Sequence, residues 1–509
     1  TMFGSQWLAN AGGASYEIDQ SIRFDGSATL KRQWAQNGNR KTFTISMWVK
    51  IQGGTTQGLA TGSGDWGLLQ IASDGILSIY DYGPSGYNWN LVSTARFRDP
   101  SAWYHVVAIC DTTQATSTDR VRLYVNGERL TSLTTATYPS LNFDCYTWGG
   151  TGGRSATTPQ GMFGYASNGL GYYAEGHYLD GVVGEPSAFG ETNNDGVWVP
   201  IEYSGSHGSE GCYLTGATAS DLGEDFSGNN NDFTSSGLAT TDQMIDTPTL
   251  NYCTLSPLDK FGSGLTLSDG NLRAVPSASA YGNEHGTFYV NSGKWVFEVK
   301  NTTVFGEGCG WSPMGERIAG SAHRGYFMLS DGRAYINTSN QGTKGASLAS
   351  GDYRYIFYDA DLEAMWFAHV DVSSSNALVY DNSATKAEIE AGTTTNAVFT
   401  SIQDVDFAPG LWMDTSGVFE VNFGQSAFIT TSDLPTGFNT LNTANLPTPS
   451  IKDGSAHFQP VLYTGSTSAQ DITFSGNSDL APDWLWFKAR IASNHFLFDK
   501  VRGALKKIE

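Results

Sequence analysis

The residues of this chain that could carry out a reaction are few and scattered. Its eight histidines occur singly. His105 lies inside the apolar run WYHVVAIC (103–110), where a satisfied core histidine is the plain reading. Carboxylates at alternate positions of a strand share one face, so acids at that spacing can serve as nucleophile and general acid. Glu17-Ile18-Asp19-Gln20-Ser21 begins such a pattern and breaks it at Ser21, close to the N-terminal end. There is no G-x-S-x-G elbow, no H-E-x-x-H and no Walker loop; Gly293-Lys294-Trp295 lacks the preceding glycine and the following hydroxyl. The expectation is a protein that is not an enzyme.

Two segments offer binding chemistry instead. Tyr80, Asp81, Tyr82, Tyr87 and Trp89 lie in YDYGPSGYNWN (80–90), which mixes ring faces with amides and a carboxylate. Rings stack on the C–H face of a pyranose while Asp and Asn bond its hydroxyls. These five are the candidate glycan-binding residues; the plainer reading is an aromatic hairpin packed on its own sheet or on a neighbouring subunit. Asp225, Asn229, Asn231 and Asp232, in DFSGNNND (225–232), are the candidate ligands for Ca²⁺, a hard cation that takes oxygen. Clusters of Asn, Gly and Asp are also ordinary turn formers.

The elements that must position these residues read as strands. Phe43, Ile45, Met47, Val49 and Ile51 alternate with Thr44, Ser46, Trp48 and Lys50. The run 103–110 suits a central strand covered on both sides. Val121, Leu123 and Val125 lead into Asn126-Gly127, a pair that accepts the positive φ angles of a tight hairpin. His177 and Leu179, in GHYLDG, mark a further short strand. Alternation resumes in KWVFEVK (294–300), around Tyr353, Tyr355 and Phe357, and around Phe419, Val421 and Phe423. The best helical candidate, Ala384 to Gly392, is short, and no heptad run exists.

Composition agrees. Charged residues are 16%, aromatics 13%, and 60 residues are glycine, a profile of turns and β-formers rather than helices or disorder. The net charge of −21 argues against nucleic acid and anionic membrane as partners. No apolar run is long enough to span a bilayer. Five cysteines at wide spacing, without CxxC, read as buried thiols rather than a zinc site or disulfide framework. The chain starts at Thr1 rather than Met and stops shortly after an aromatic β segment, so one or both ends are expected to be missing.

The first block resembles the laminin-G-like, concanavalin-A-like jelly-roll family through IRFDGS (22–27), FTISMWVK (43–50), WYHV (103–106), VRLYVNG (121–127) and YAEGHYLDG (173–181). That family includes glucanases with an E-x-D-x-E strand, which residues 17–21 do not complete, and lectins that often hold calcium. The second block resembles SPRY-type sandwiches through SGKWVFEV (292–299), GCGW (308–311), YIFYD (355–359) and VNFG (421–424), with a long insertion around 371–400. The order of parts, continuing through NFGQSAF (422–428), LNTANLPTP (441–449), VLYTG (461–465), PDWLWFKAR (482–490) and FDKVRGA (498–504), resembles tail fibres and other virion appendages of tailed, marine-type bacteriophages.

An all-β chain of consecutive sandwiches is therefore expected. The boundaries are a jelly roll over 1–216, a polar connector over 217–262, a SPRY-like sandwich over 263–430, a Pro-rich linker over 431–457 and a truncated third β unit over 458–509. The resemblance implies a virion-surface adhesive protein, assembled in the host cytoplasm as a homo-oligomer. Its partners would be other virion proteins and a host-surface glycan or protein. A capsid decoration or head fibre, a glycan depolymerase and a cellular SPRY-type scaffold are the alternatives.

Overall fold

The computed structural model describes residues 16–34, 36–62, 67–149, 160–163, 169–261, 265–276, 282–304, 306–314, 325–374, 376–402, 405–413, 417–431, 433–474, 476, 480–489, 494–503, 506 and 508. The chain divides into a larger unit, Asn10–Glu191 with Val199–Leu446, and a smaller one, Thr1–Ala9 with Thr192–Trp198 and Pro447–Glu509. The larger unit holds two antiparallel sandwiches built in succession.

In the first sandwich, the alternating run at 43–51 becomes the strand Thr42–Lys50. It pairs along its whole length with Trp103–Asp111, which is buried at every position. From one edge the sheet runs Glu128–Arg129, Val121–Val125, Trp103–Asp111, Thr42–Lys50, Leu170–Asp180, Ser21–Asp25 and Gln243–Met244. Asn126 (φ 50°) and Gly127 (φ 79°) make the left-handed hairpin turn that their types allow. The facing sheet runs Leu133–Thr137, Gly86–Arg96, Ile76–Gly83, Gly67–Ile71, Gln57–Thr61, Gln160–Met162, Thr29–Arg32 and Thr234–Ser236. Between them Phe43 stacks on Trp148 and Tyr178, with ring centroids 5.6 and 5.9 Å apart. The outer face of the first sheet is also covered, because Phe189, Val182 and Tyr203 pack over Val107, Ile109, Tyr124 and Leu179.

The second sandwich faces Leu255–Phe261, Gly282–Gly286, Phe407–Met413, Gly308–Pro313, Tyr326–Leu329, Arg333–Ile336 and Ser339–Thr343 against a sheet centred on Lys294–Thr303 and Tyr353–Asp359. The insertion near 371–400 does not stand off as a loop. It adds the strand Leu378–Tyr380 and the helix Lys386–Glu390, which is capped reciprocally by Thr385 and Glu388. Ile389 of this helix is fully buried against Trp366 and Phe357. The five cysteines are buried thiols.

Two expected boundaries need correction. The stretch 217–262 is not a free connector: Thr234–Ser236 and Gln243–Met244 are edge strands of the first sandwich, and Leu255–Phe261 opens the second. Nor does a linker begin at 431. The Leu441 amide donates to the Phe423 carbonyl, the Val296 amide donates to the Asn439 carbonyl, and Leu441 is fully buried. The edge strands Thr234–Ser236 and Gln243–Met244 are too short to show alternation and bury Met244 alone.

What ties these segments down is polar. Lys50 Nζ, fully buried at its strand end, donates to Asp246 Oδ2 (2.7 Å), Asn251 Oδ1 (2.7 Å) and the Tyr252 carbonyl (2.6 Å). Asp246 Oδ1 accepts from Trp103 Nε1 (3.1 Å), and Asn251 Nδ2 donates to the Ser101 carbonyl (2.7 Å). Lys50→Met leaves a buried carboxylate without its cation, so it should cost about 3–5 kcal/mol in urea denaturation; a loss below about 1 kcal/mol would contradict this account.

Candidate functional site

The hairpin Ile76–Gly83/Gly86–Arg96 carries the aromatic run, and strand alternation sorts its residues onto two faces. Asp81 and Trp89 are directly opposed and both fully buried. Asp81 accepts from the Tyr146 and Thr147 amides (2.9 Å each), Thr147 Oγ1 (2.7 Å) and Asn88 Nδ2 (2.7 Å). Its oxygens are committed to holding 146–147 against the sheet, and Trp89 presents no ring face to solvent. Neither can take the glycan role expected of it, because both point into the sandwich.

Tyr80, Tyr82 and Tyr87 lie on the other face. Tyr87 is 57% exposed and Tyr82 36%. The Tyr87 ring meets Tyr82 and Tyr80 edge to face, with centroids 4.9 and 5.2 Å apart. Such T-shaped contacts hold the rings in place. Beside them, cross-strand register lines up Leu68, Tyr80, Asn90 and Thr137, then Gln70, Ser78, Val92 and Thr135 in the next row. Gln70 Nε2 is 3.4 Å from Ser78 Oγ, and Asn90 Oδ1 is buried without a hydrogen-bond partner. The outer face of this sheet is thus a tyrosine cluster bordered by the amide residues Gln70 and Asn90.

The expected calcium loop is occupied by the protein itself. Asp225 Oδ1 accepts from the Tyr213 and Ser227 amides, and Oδ2 from Ser227 Oγ and the Asn231 amide, all at 2.8–2.9 Å. Asp232 Oδ1 accepts from the Asp225 amide (2.9 Å). Asn229 and Asn231 turn their Nδ2 groups toward the carbonyls of Gly208, Ser209 and Gly211. N–H and O–H groups already fill the directions a cation would use, so these four residues form a turn. No cluster of three or more His, Cys, Asp or Glu suited to a metal exists among the described residues. Glu17 and Asp19 are exposed, with Ile18 and Ser21 buried between and beyond them.

A second polar cluster was not singled out from sequence. The strand Leu170–Asp180 bulges between Ala174 and His177, with Glu175 at φ 51°. Gly176 is required there, since a Cβ would come within 2.1 Å of the Phe163 ring. Glu175 Oε2 accepts from Tyr213 Oη (2.6 Å) and Tyr16 Oη (3.0 Å). His177 stacks on Tyr213 at 4.3 Å, and its Nδ1 is 3.1 Å from His207 Nε2. Burial pushes the Glu175 carboxyl up to about 7 against the opposing hydrogen bonds from Tyr213 and Tyr16, and holds His177 well below its usual value. The available sign was Glu-Gly-His inside a strand, where glycine marks a bulge or a close approach. Glu175 is the carboxylate in this cluster's hydrogen bonds, and the charge of Glu202 also raises it.

Comparison with known proteins agrees with the first sandwich. Residues 24–163 match the concanavalin A-like lectin/glucanases superfamily. Residues 453–509 match a domain of unknown function, DUF7483. No curated protein sequence matches the chain. Similar solved structures include the SPRY domain of human HERC1, at 12% identity and a TM-score of 0.26, over 33% of this chain and 96% of that one. The PSpry domain of TRIM65 is similar at 12% identity and a TM-score of 0.25, over 34% and 90%.

Two outcomes follow from this geometry. Adding EDTA should leave the melting temperature unchanged, whereas a calcium-dependent rise would place a cation in the 225–232 loop. Folded Glu175 keeps its proton to about pH 7, while the unfolded carboxyl loses it near 4.5. Its contribution is therefore fully present below the unfolded value and lost as pH rises through 7. Glu175→Gln should stabilise the chain by on the order of 2–3 kcal/mol near pH 8 and by almost nothing near pH 4, read from melting curves at both.

Proposed function

We propose that the chain is a non-catalytic, adhesive structural protein of a bacteriophage tail fibre, and that its first sandwich binds a host-surface glycan on the face formed by Tyr80, Tyr82 and Tyr87. The observation that carries the binding part is the exposed tyrosine cluster beside Asn90, Gln70 and Ser78 on a rigid sheet. Ring faces take the apolar side of a sugar and the amides take its hydroxyls. The charge of −21 repels polyanionic polysaccharide, so the ligand is a neutral glycan. The virion part is supported by the modular order of the sequence. In this reading the chain acts at the virion surface, as a homo-oligomer among other virion proteins.

A glycan array probed with the whole chain should give retention on neutral sugars. Tyr82→Ala and Tyr87→Ala should each weaken it about tenfold, a loss of about 1.4 kcal/mol in contact energy, while the melting temperature holds. Failure to retain any glycan, or release of reducing ends from one, would overturn the binding reading. Immunogold labelling of virions tests the location: label on tail fibres is expected, and label on the capsid would replace the fibre with a head decoration.

A further inference from the structure

The smaller unit contains a two-stranded ribbon, Trp484–Phe487 paired with Phe496–Asp499, that carries large apolar side chains on both faces, with Asp499 opposite Trp484. Leu485, Phe487, Phe496 and Phe498 share one face, where Phe487 and Phe498 lie 5.9 Å apart and Tyr463 meets Phe487 edge on at 6.3 Å. Trp484 and Trp486 share the other, 6.1 Å apart, with Trp486 Nε1 donating to His495 Nδ1 at 2.8 Å. Trp484 is 48% exposed and Trp486 57%, and no described residue from 447 to 508 is buried. Strands apolar on both faces belong inside a larger sheet, and two strands alone are marginal in water. Among the described residues no strand runs along the outer edge of Trp484–Phe487. Such an edge is a template for another chain.

Charge points to what covers it. Residues 447–509 carry seven Lys and Arg against six Asp and Glu, a net of +1, which leaves −22 on the rest of the chain. Two copies repel each other wherever their acidic surfaces meet and do not repel here.

We propose that this ribbon is the element through which two copies of the chain associate. The Trp484–Phe487 edges pair antiparallel about a two-fold axis into a four-stranded sheet, which sets Trp484 and Trp486 of the two copies side by side on one face. Such a contact is self-complementary and closes at two copies. It rests on the homo-oligomeric part of the reading above and is independent of what the tyrosine face binds.

Analytical ultracentrifugation of the whole chain at micromolar concentration tests it, at low and at high salt. A dimer is expected, with a larger dimer fraction at high salt because screening weakens the repulsion between the acidic bodies. The double variant Trp484→Ser/Trp486→Ser should sediment as a monomer at both salts while keeping its far-ultraviolet spectrum and its glycan binding. A dimer in both proteins would overturn the ribbon as the interface and leave the homo-oligomer standing. A monomer in both would overturn the two together.

Discussion

The arrangement of the larger unit depends on one buried ion pair. Lys50 and Asp246 are both withdrawn from water, 2.7 Å apart, at the point where the chain leaves the first sandwich for the second. Burial raises the Asp246 carboxyl and the neighbouring Lys50 charge opposes that rise. A pair of this kind adds little over an apolar replacement of both partners, but it penalises any arrangement that buries one without the other. Its hydrogen bonds reach four distant segments: Ser21 Oγ donates to the Asp246 carbonyl, Trp103 to its carboxylate, and Asn251 binds both the Ser101 carbonyl and Thr443. One knot therefore fixes the first strand, a central strand, the passage between sandwiches and the segment that follows the second.

That knot explains which parts of the fold were legible in the sequence. Alternation located Thr42–Lys50, Val121–Val125, Lys294–Thr303 and Tyr353–Asp359, and a continuous apolar run located Trp103–Asp111, because each buries a continuous row of side chains. Asn126-Gly127 located a turn because few residue types tolerate its φ angles. The passage 217–262 read as a connector because its buried apolar residues, such as Leu222, Phe233 and Leu255, are isolated in the string, and the Asp225, Asp246 and Asn251 that also hold it look like solvent-facing polar groups. Lys50 closes an alternating strand just as a surface lysine would. Nothing local marks it as the centre of a buried network.

The candidate site was half legible for a related reason. Composition picks out YDYGPSGYNWN as aromatic and polar but does not say which ring faces outward. Parity does: Tyr80 and Tyr82 flank Asp81, so a strand through them must turn Asp81 to the opposite face. Trp89 follows Asp81 inward because the hairpin register opposes the two. The 225–232 loop failed as a calcium site for the converse reason. Its carboxylate oxygens are abundant, but the turn that brings them together also supplies enough N–H groups to use them.

These observations converge on how a chain with so few charges presents itself. Charged groups that do appear are often drawn inside: Lys50 with Asp246, Arg354 with Asp381 at 2.6 Å, and Glu175 beneath Tyr16 and Tyr213. Each fastens a covering segment onto a sheet that would otherwise expose backbone or apolar side chains. A sheet secured this way can leave an aromatic and amide face open without the face collapsing onto its neighbours, as the outer face around Tyr82 and Tyr87 does. The same economy is missing from the Trp484–Phe487 ribbon, whose described neighbours bury no charge and leave Trp484 and Trp486 exposed. Exposed aromatics therefore mean different things at the two ends of the chain. On the first sandwich they sit on a supported sheet surface, and on the ribbon they lie on a two-stranded sheet among the described residues.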